Sequence, residues 1–149
     1  MTDIERQKIQ FALIGTCTNG RLDDLRQAAA ILKGKRIAKG VRMIVTPASR
    51  QVWLAAAREG IVEALTAAGA SVDAAGCGTC VNITGHLITG DEDVVITSAN
   101  RNFKGRLGNS KSEIWVGSAA TVAASALTGY ITDPREVTGG DWRPASKAA

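Results

Sequence analysis

Aromatic residues are scarce in this chain, 4% of 149 residues, and the three Trp, two Phe and one Tyr do not interleave with basic residues. A base-stacking platform for single-stranded nucleic acid is therefore not expected. Histidine occurs once, as His86, which excludes any centre needing two imidazoles, such as a zinc protease site. Cysteine occurs three times, an odd number that argues against a disulfide framework. Cys17 and the Cys77-x-x-Cys80 pair fit reduced thiols or metal ligands, and hence a cytoplasmic setting. No apolar run approaches the roughly 18 residues of a membrane span, and the opening MTDIERQKIQ is too charged for a signal peptide.

What is present is ordinary for a globular domain: 45% hydrophobic and 21% charged residues, enough to bury a core without covalent staples. The length suits one domain rather than two closing over a substrate. The net charge of +4 is dispersed, its densest group (Lys33, Lys35, Arg36, Lys39) broken by Gly34 and Ala38, so a nucleic-acid surface is not expected.

Periodicity places a short apolar strand at Phe11–Ile14, then polar residues to Gly20, then a helix from Leu22 through Leu32. A second strand, Val41–Val45, stops at Pro47 and leads to helical patterns over Ser49–Ala57 and Val62–Ala68. Ser71–Asp73 precedes a Gly-rich cysteine loop; Val94–Thr97 and Glu113–Val116 read as strands, and Ala119–Leu127 as a small-residue helix closed by Gly129. This alternation predicts a three-layer α/β/α domain with a mostly parallel sheet and helices on both faces. The expected boundaries are an extension over 1–10, the domain over 11–134, and a mobile tail over 135–149. In an open parallel sheet, ligands gather beyond the carboxyl ends of the strands. The loops 15–20, 74–82 and 98–109 all follow strands and are expected at that rim.

The loop Gly15-Thr-Cys-Thr-Asn-Gly20 has the glycine spacing of a P-loop, yet Arg21 and Leu22 stand where phosphate and magnesium need Lys and Ser or Thr. What remains is Cys17 at a strand-to-helix turn, where backbone N–H groups favour a thiolate or an anionic cluster. Cys77-Gly78-Thr79-Cys80 brings two thiols to chelating distance, with glycines that let N–H groups turn toward bound sulfur. A thioredoxin-like redox pair is nearly as good a reading of that segment alone, but leaves Cys17 unexplained. A zinc site of three cysteines completed by His86, in a non-catalytic metal module, is a further alternative. In Asn100-Arg-Asn-Phe-Lys-Gly-Arg106 the two arginines offer planar N–H forks that suit a di- or tricarboxylic acid.

Taken in this order and spacing, the three motifs resemble the aconitase superfamily, nearest to the large subunits of isopropylmalate dehydratase and its homoaconitase and dimethylmalate relatives. The likeness runs from about Phe11 to Pro134, including Ser118–Ser125 and Gly129–Pro134, and is to one domain only, the cluster-binding third domain. It implies that Cys17, Cys77 and Cys80 hold a [4Fe-4S] cluster with one iron free of protein. It further implies that Arg101 and Arg106 hold substrate carboxylates and that Asn100 hydrogen-bonds near the cluster. The family reaction is dehydration and rehydration of a malate-type acid. The family's catalytic base belongs to other parts of the enzyme, so no catalytic residue is expected within these 149 residues. Activity is expected only with the remaining large-subunit domains and a small swivel-domain subunit.

Overall fold

The central strands are apolar because both of their faces are covered. β1 (Phe11–Gly15), β2 (Arg42–Thr46) and β4 (Val94–Thr97) are almost wholly buried, as parallel strands inside a sheet must be. The computed structural model describes residues 7–80 and 89–140. With β3 (Ser71–Val72) and β5 (Glu113–Val116), these strands form one five-stranded sheet in the order β3-β2-β1-β4-β5, every pair parallel. The chain steps from β1 outward to β3, then crosses back to β4 and proceeds to β5. The order therefore reverses between β1 and β4, the position at which such sheets open a crevice for ligands.

Right-handed crossovers put connections that step one way across a sheet on one face, and those that step the other way on the opposite face. α2 (Leu22–Leu32), α3 (Arg50–Arg58) and α4 (Ile61–Ala68) belong to the first direction. They bury Leu25, Ala28, Ala56 and Leu65 against Ala12, Ile14, Met43 and Val45 of the strands. α5 (Ala119–Thr128) returns to this face and packs on α2 and β1. Its residues Ala119, Ala120 and Val122–Ala126 are all buried, and small side chains let it approach the neighbouring backbone closely. The Ser118 hydroxyl caps it by accepting from Thr121 N at 3.1 Å, and Gly129, at φ 84°, ends it in the left-handed conformation.

The alternate strand residues Leu13, Ile44 and Val95 face the other way and make a smaller core with Leu107 from the β4–β5 connection. The α/β class and parallel sheet are as expected. Among the described residues, α2, α3, α4 and α5 contribute to the larger core, and the β4–β5 connection contributes Leu107 to the smaller one. The β4–β5 connection steps across the sheet in the same direction as the β3–β4 crossover and is rich in Gly and Asn.

Residues 7–10 pair with later parts of the chain. Ile9 is 1% exposed, its N–H bonds Gly129 O at 2.9 Å, and Lys8 bridges Tyr130 antiparallel. Gln10 is held from both sides: its N–H donates to Val94 O and its side-chain oxygen accepts from Val94 N. Residues 8–10 are thus held against β4 and the end of α5. At the other end the expected tail begins inside α6 (Pro134–Val137), which Asp133 caps by accepting from Arg135 N at 2.9 Å; residues 141–149 lie outside the described ones. Among the described residues no helix is long and apolar enough to cross a membrane.

Candidate metal centre

Because every strand runs the same way, the segments after β1, β3 and β4 emerge at one rim. The first carries Cys17, the second residue of the single-turn helix α1 (Thr16–Asn19). Gly15 precedes it at φ 127°, a conformation side-chain-bearing residues avoid, and a Cβ there would collide with the carbonyl of Thr46, its register partner on β2. Thr16 follows at φ 75°, a costly conformation for a β-branched residue. Its surroundings impose it: Gly20 N bonds Thr16 O at 2.9 Å, Gly15 N donates to the Ser98 hydroxyl at 3.1 Å, and the Asn19 side-chain amide donates to Ser98 O. The result is a tight turn that leaves Cys17 exposed.

The second segment leaves β3 with Asp73 N bonded to Val45 O at 2.8 Å and ends in a 3-10 turn, Gly78–Cys80, closed by Cys80 N donating to Cys77 O at 2.8 Å. Gly78 sits at φ 47° directly on Thr46: a Cβ at 78 would lie 2.5 Å from Thr46 Oγ1. Gly20 approaches the Thr46 carbonyl in the same way. Thr46 is therefore a wall shared by both cysteine turns, and α1 lies beside the 3-10 turn. All three cysteines are free thiols, Cys17 and Cys77 exposed and Cys80 half-buried.

Two buried hydroxyls at this junction, Thr16 Oγ1 and Thr46 Oγ1, have no hydrogen-bond partner. Such groups cost about 1–3 kcal/mol each and collect where a bound group completes a site. Among the described residues, no three Cys, His, Asp or Glu side chains gather around one point as a single metal ion requires. Zinc on three thiolates at roughly 2.3 Å would need that convergence; His86, its fourth ligand in that reading, lies outside the described residues. An iron–sulfur cluster takes each thiolate on a different iron, so its ligands stand farther apart. Three free thiols on adjoining glycine-lined turns fit such a donor set.

The third segment, after β4, is pinned at several points. The Asn102 amide donates to Ile114 O at 2.8 Å, the Asn109 amide to Thr89 O at 3.0 Å, and Leu107 is buried under the sheet. Farther along, Lys111 bonds Asp91 at 2.9 Å; with Asn109 it holds the Asp91 carboxyl below the usual carboxylate range. Asn100 and Arg101 are exposed at the rim. Arg106 is 7% exposed. Its Nε donates to Cys80 O at 2.8 Å and its Nη2 to Cys80 Sγ at 2.9 Å. The described parts of the three loops follow parallel strands to one rim, where Arg101 is exposed and Arg106 is buried.

Thr46 and Ser98 are the residues that motif reading missed. The position of Thr46 between an apolar strand and Pro47, opposite Gly15, is a usable signal for it; nothing in the sequence singles out Ser98.

A family model described as the aconitase family (aconitate hydratase) matches residues 1–129. Among similar proteins, a 3-isopropylmalate dehydratase large subunit of Elusimicrobium minutum is 53% identical over 87% of this chain and 31% of that protein. A large subunit 2 of Archaeoglobus fulgidus is 50% identical over 91% of this chain and 32% of its own length, and a large subunit 1 of Thermotoga maritima 49% identical over the same shares. The chain thus spans about a third of the length of the relatives it matches.

Proposed function

The chain belongs to the aconitase family, and from that premise we propose that it is the cluster-binding part of a cytoplasmic hydro-lyase large subunit acting on a malate-type 2-hydroxy acid of the isopropylmalate kind. The observation that carries the proposal is the meeting of the Cys17 turn and the Cys77–Cys80 turn on the common wall of Thr46, at the carboxyl rim of the sheet. Cys17, Cys77 and Cys80 would hold a [4Fe-4S] cluster. When bound, such a cluster with one iron free of protein supplies a Lewis acid for the hydroxyl and a carboxylate of the substrate.

The chain's own residues do the rest of the work available here. Arg101, exposed on the loop after β4, presents paired N–H donors to a substrate carboxylate. Asn100 beside it offers an amide for a hydrogen bond toward the cluster or the substrate. Arg106 braces the cysteine loop through its hydrogen bonds to Cys80. The base that removes the proton next to the carboxylate comes from elsewhere, from the other domains of the large subunit or from a small swivel-domain subunit.

Activity is tested by supplying the missing parts: the reconstituted chain, mixed anaerobically with the remaining domains of a relative's large subunit and its small subunit, converts isopropylmalate to the unsaturated acid. Replacement of Arg101 by Ala raises KM in that assay and Cys17→Ser abolishes turnover. Full activity of the Cys17→Ser mixture would overturn the proposal. A non-catalytic zinc module has no specific observation in its favour.

A further inference from the structure

Arg106 is buried to 7% exposure although Arg101–Lys104 of the same loop are exposed, and two hydrogen bonds of its guanidinium go to one residue. One edge of the Arg106 guanidinium spans Cys80: Nε donates to the main-chain oxygen at 2.8 Å, Nη2 to the sulfur at 2.9 Å. Donors in a rigid planar fork fix the separation of the two acceptors they engage. When those acceptors are the carbonyl and the sulfur of one residue, their separation sets the rotation of the side chain about its own backbone. A freely rotating cysteine would sample three staggered positions.

The base of the fork is itself fixed. Leu107, the next residue, is 3% exposed among Leu13, Ile44 and Val95, and the turn around Arg106 is closed by its own N–H on Phe103 O at 3.2 Å and by Gly108 N on Gly105 O at 3.0 Å. Arg106 therefore reaches from a segment anchored under the sheet to a segment that ends in a short 3-10 turn. We propose that Arg106 is a positioning residue that locks the Cys80 side chain into one rotamer before any cluster is present, making Cys80 the preset ligand and leaving the exposed Cys17 and Cys77 to adjust. This deepens the proposed function, since it concerns the same site, but the rotamer lock is a property of the metal-free chain and stands or falls by itself.

The experiment compares the full reduced chain with Arg106→Gln and Arg106→Lys by NMR. The readouts are the three-bond couplings that report the χ1 angle of each cysteine and the exchange rate of the Arg106 Nε–H. In the native chain Cys80 shows the couplings of a single rotamer, Cys17 and Cys77 those of averaging side chains, and the Nε–H exchanges about tenfold or more slowly than that of exposed Arg101, as a charged, buried hydrogen bond implies. In Arg106→Gln only Cys80 becomes averaged. Arg106→Lys, which keeps the charge but not the fork, does not restore the single rotamer. Cys80 remaining in one rotamer in Arg106→Gln would overturn the proposal, as would averaging that spreads to the core resonances, which marks a general structural role. Subsequent anaerobic loading separates the two readings: a chain that takes up no iron and sulfide contradicts the proposed function, while the couplings still decide the role of Arg106.

Discussion

Gly78 rests on Thr46 so closely that a Cβ at position 78 would fall 2.5 Å from the Thr46 hydroxyl oxygen and 2.8 Å from its methyl carbon. The cysteine turn is thereby seated on the end of β2, and its seat belongs to the same residue that bounds the Cys17 turn.

That relationship predicts a compensating pair. Gly78→Ala introduces both a collision and a left-handed alanine, and is expected to lower stability by about 1–3 kcal/mol and to abolish cluster loading. Thr46→Ala in the same chain removes the side chain that is struck and should restore part of the stability, leaving roughly 1 kcal/mol of backbone cost. Urea unfolding of the two singles and the double measures the coupling; strict additivity would show that the seat is not what the glycine serves.

Gly15 is more demanding, because the atom in its way is backbone. Its hypothetical Cβ meets the Thr46 carbonyl between paired strands, and neither strand can retreat without losing register. Gly15→Ala is expected to destabilise by about 3 kcal/mol or more, seen as a large fall in the denaturation midpoint.

Much of this architecture was readable before the structure. Val94–Thr97 and Glu113–Val116 occur as expected because short apolar runs bounded by polar turns leave few options, and the helix over Leu22–Leu32 carries a clear apolar stripe. The three cysteines and the exposed pair Asn100 and Arg101 all lie in loops that the sequence pattern already marks as following strands. The burial of Arg106 was not readable: flanked by Lys104, Gly105 and Asn109, it looks like a surface residue, and only a contact 26 residues away explains it. Helix α1 was missed because four residues of Thr, Cys and Asn carry no period, and the place of residues 7–10 depends on pairing with Gly129 and Val94 far along the chain. Local pattern specifies elements; the wall at Thr46 and the clasp on Cys80 arise when distant segments meet.

The loop under the sheet depends on Leu107. Leu107→Ala is expected to cost about 2–3 kcal/mol, the low end for such changes because its core cluster is small. Limited proteolysis should then cut within 99–112 much faster than in the native chain. Unchanged protection of that segment would contradict its anchoring role.

Acid should weaken the C-terminal turn. Arg135, through its side chain and then its backbone N–H, holds the Asp133 carboxyl down to about 2. A carboxyl depressed in the folded state contributes stability above its unfolded value near 4, and that contribution is lost as pH falls from about 4 to about 2. The pair lies at the surface, Arg135 exposed and Asp133 half-buried, so solvent screening keeps the effect under about 1 kcal/mol. Asp133→Asn should show a smaller fall in Tm between pH 5 and pH 2.5 than the native chain.

The central claim is that three thiols on two adjoining turns hold an iron–sulfur cluster. Its most direct test is the iron and acid-labile sulfide content of the full chain after anaerobic reconstitution. About four of each per chain is expected, with uptake lost in Cys17→Ser and in Cys80→Ser. Metal bound without sulfide, or sulfide and iron retained in full by the Cys17→Ser chain, would contradict it.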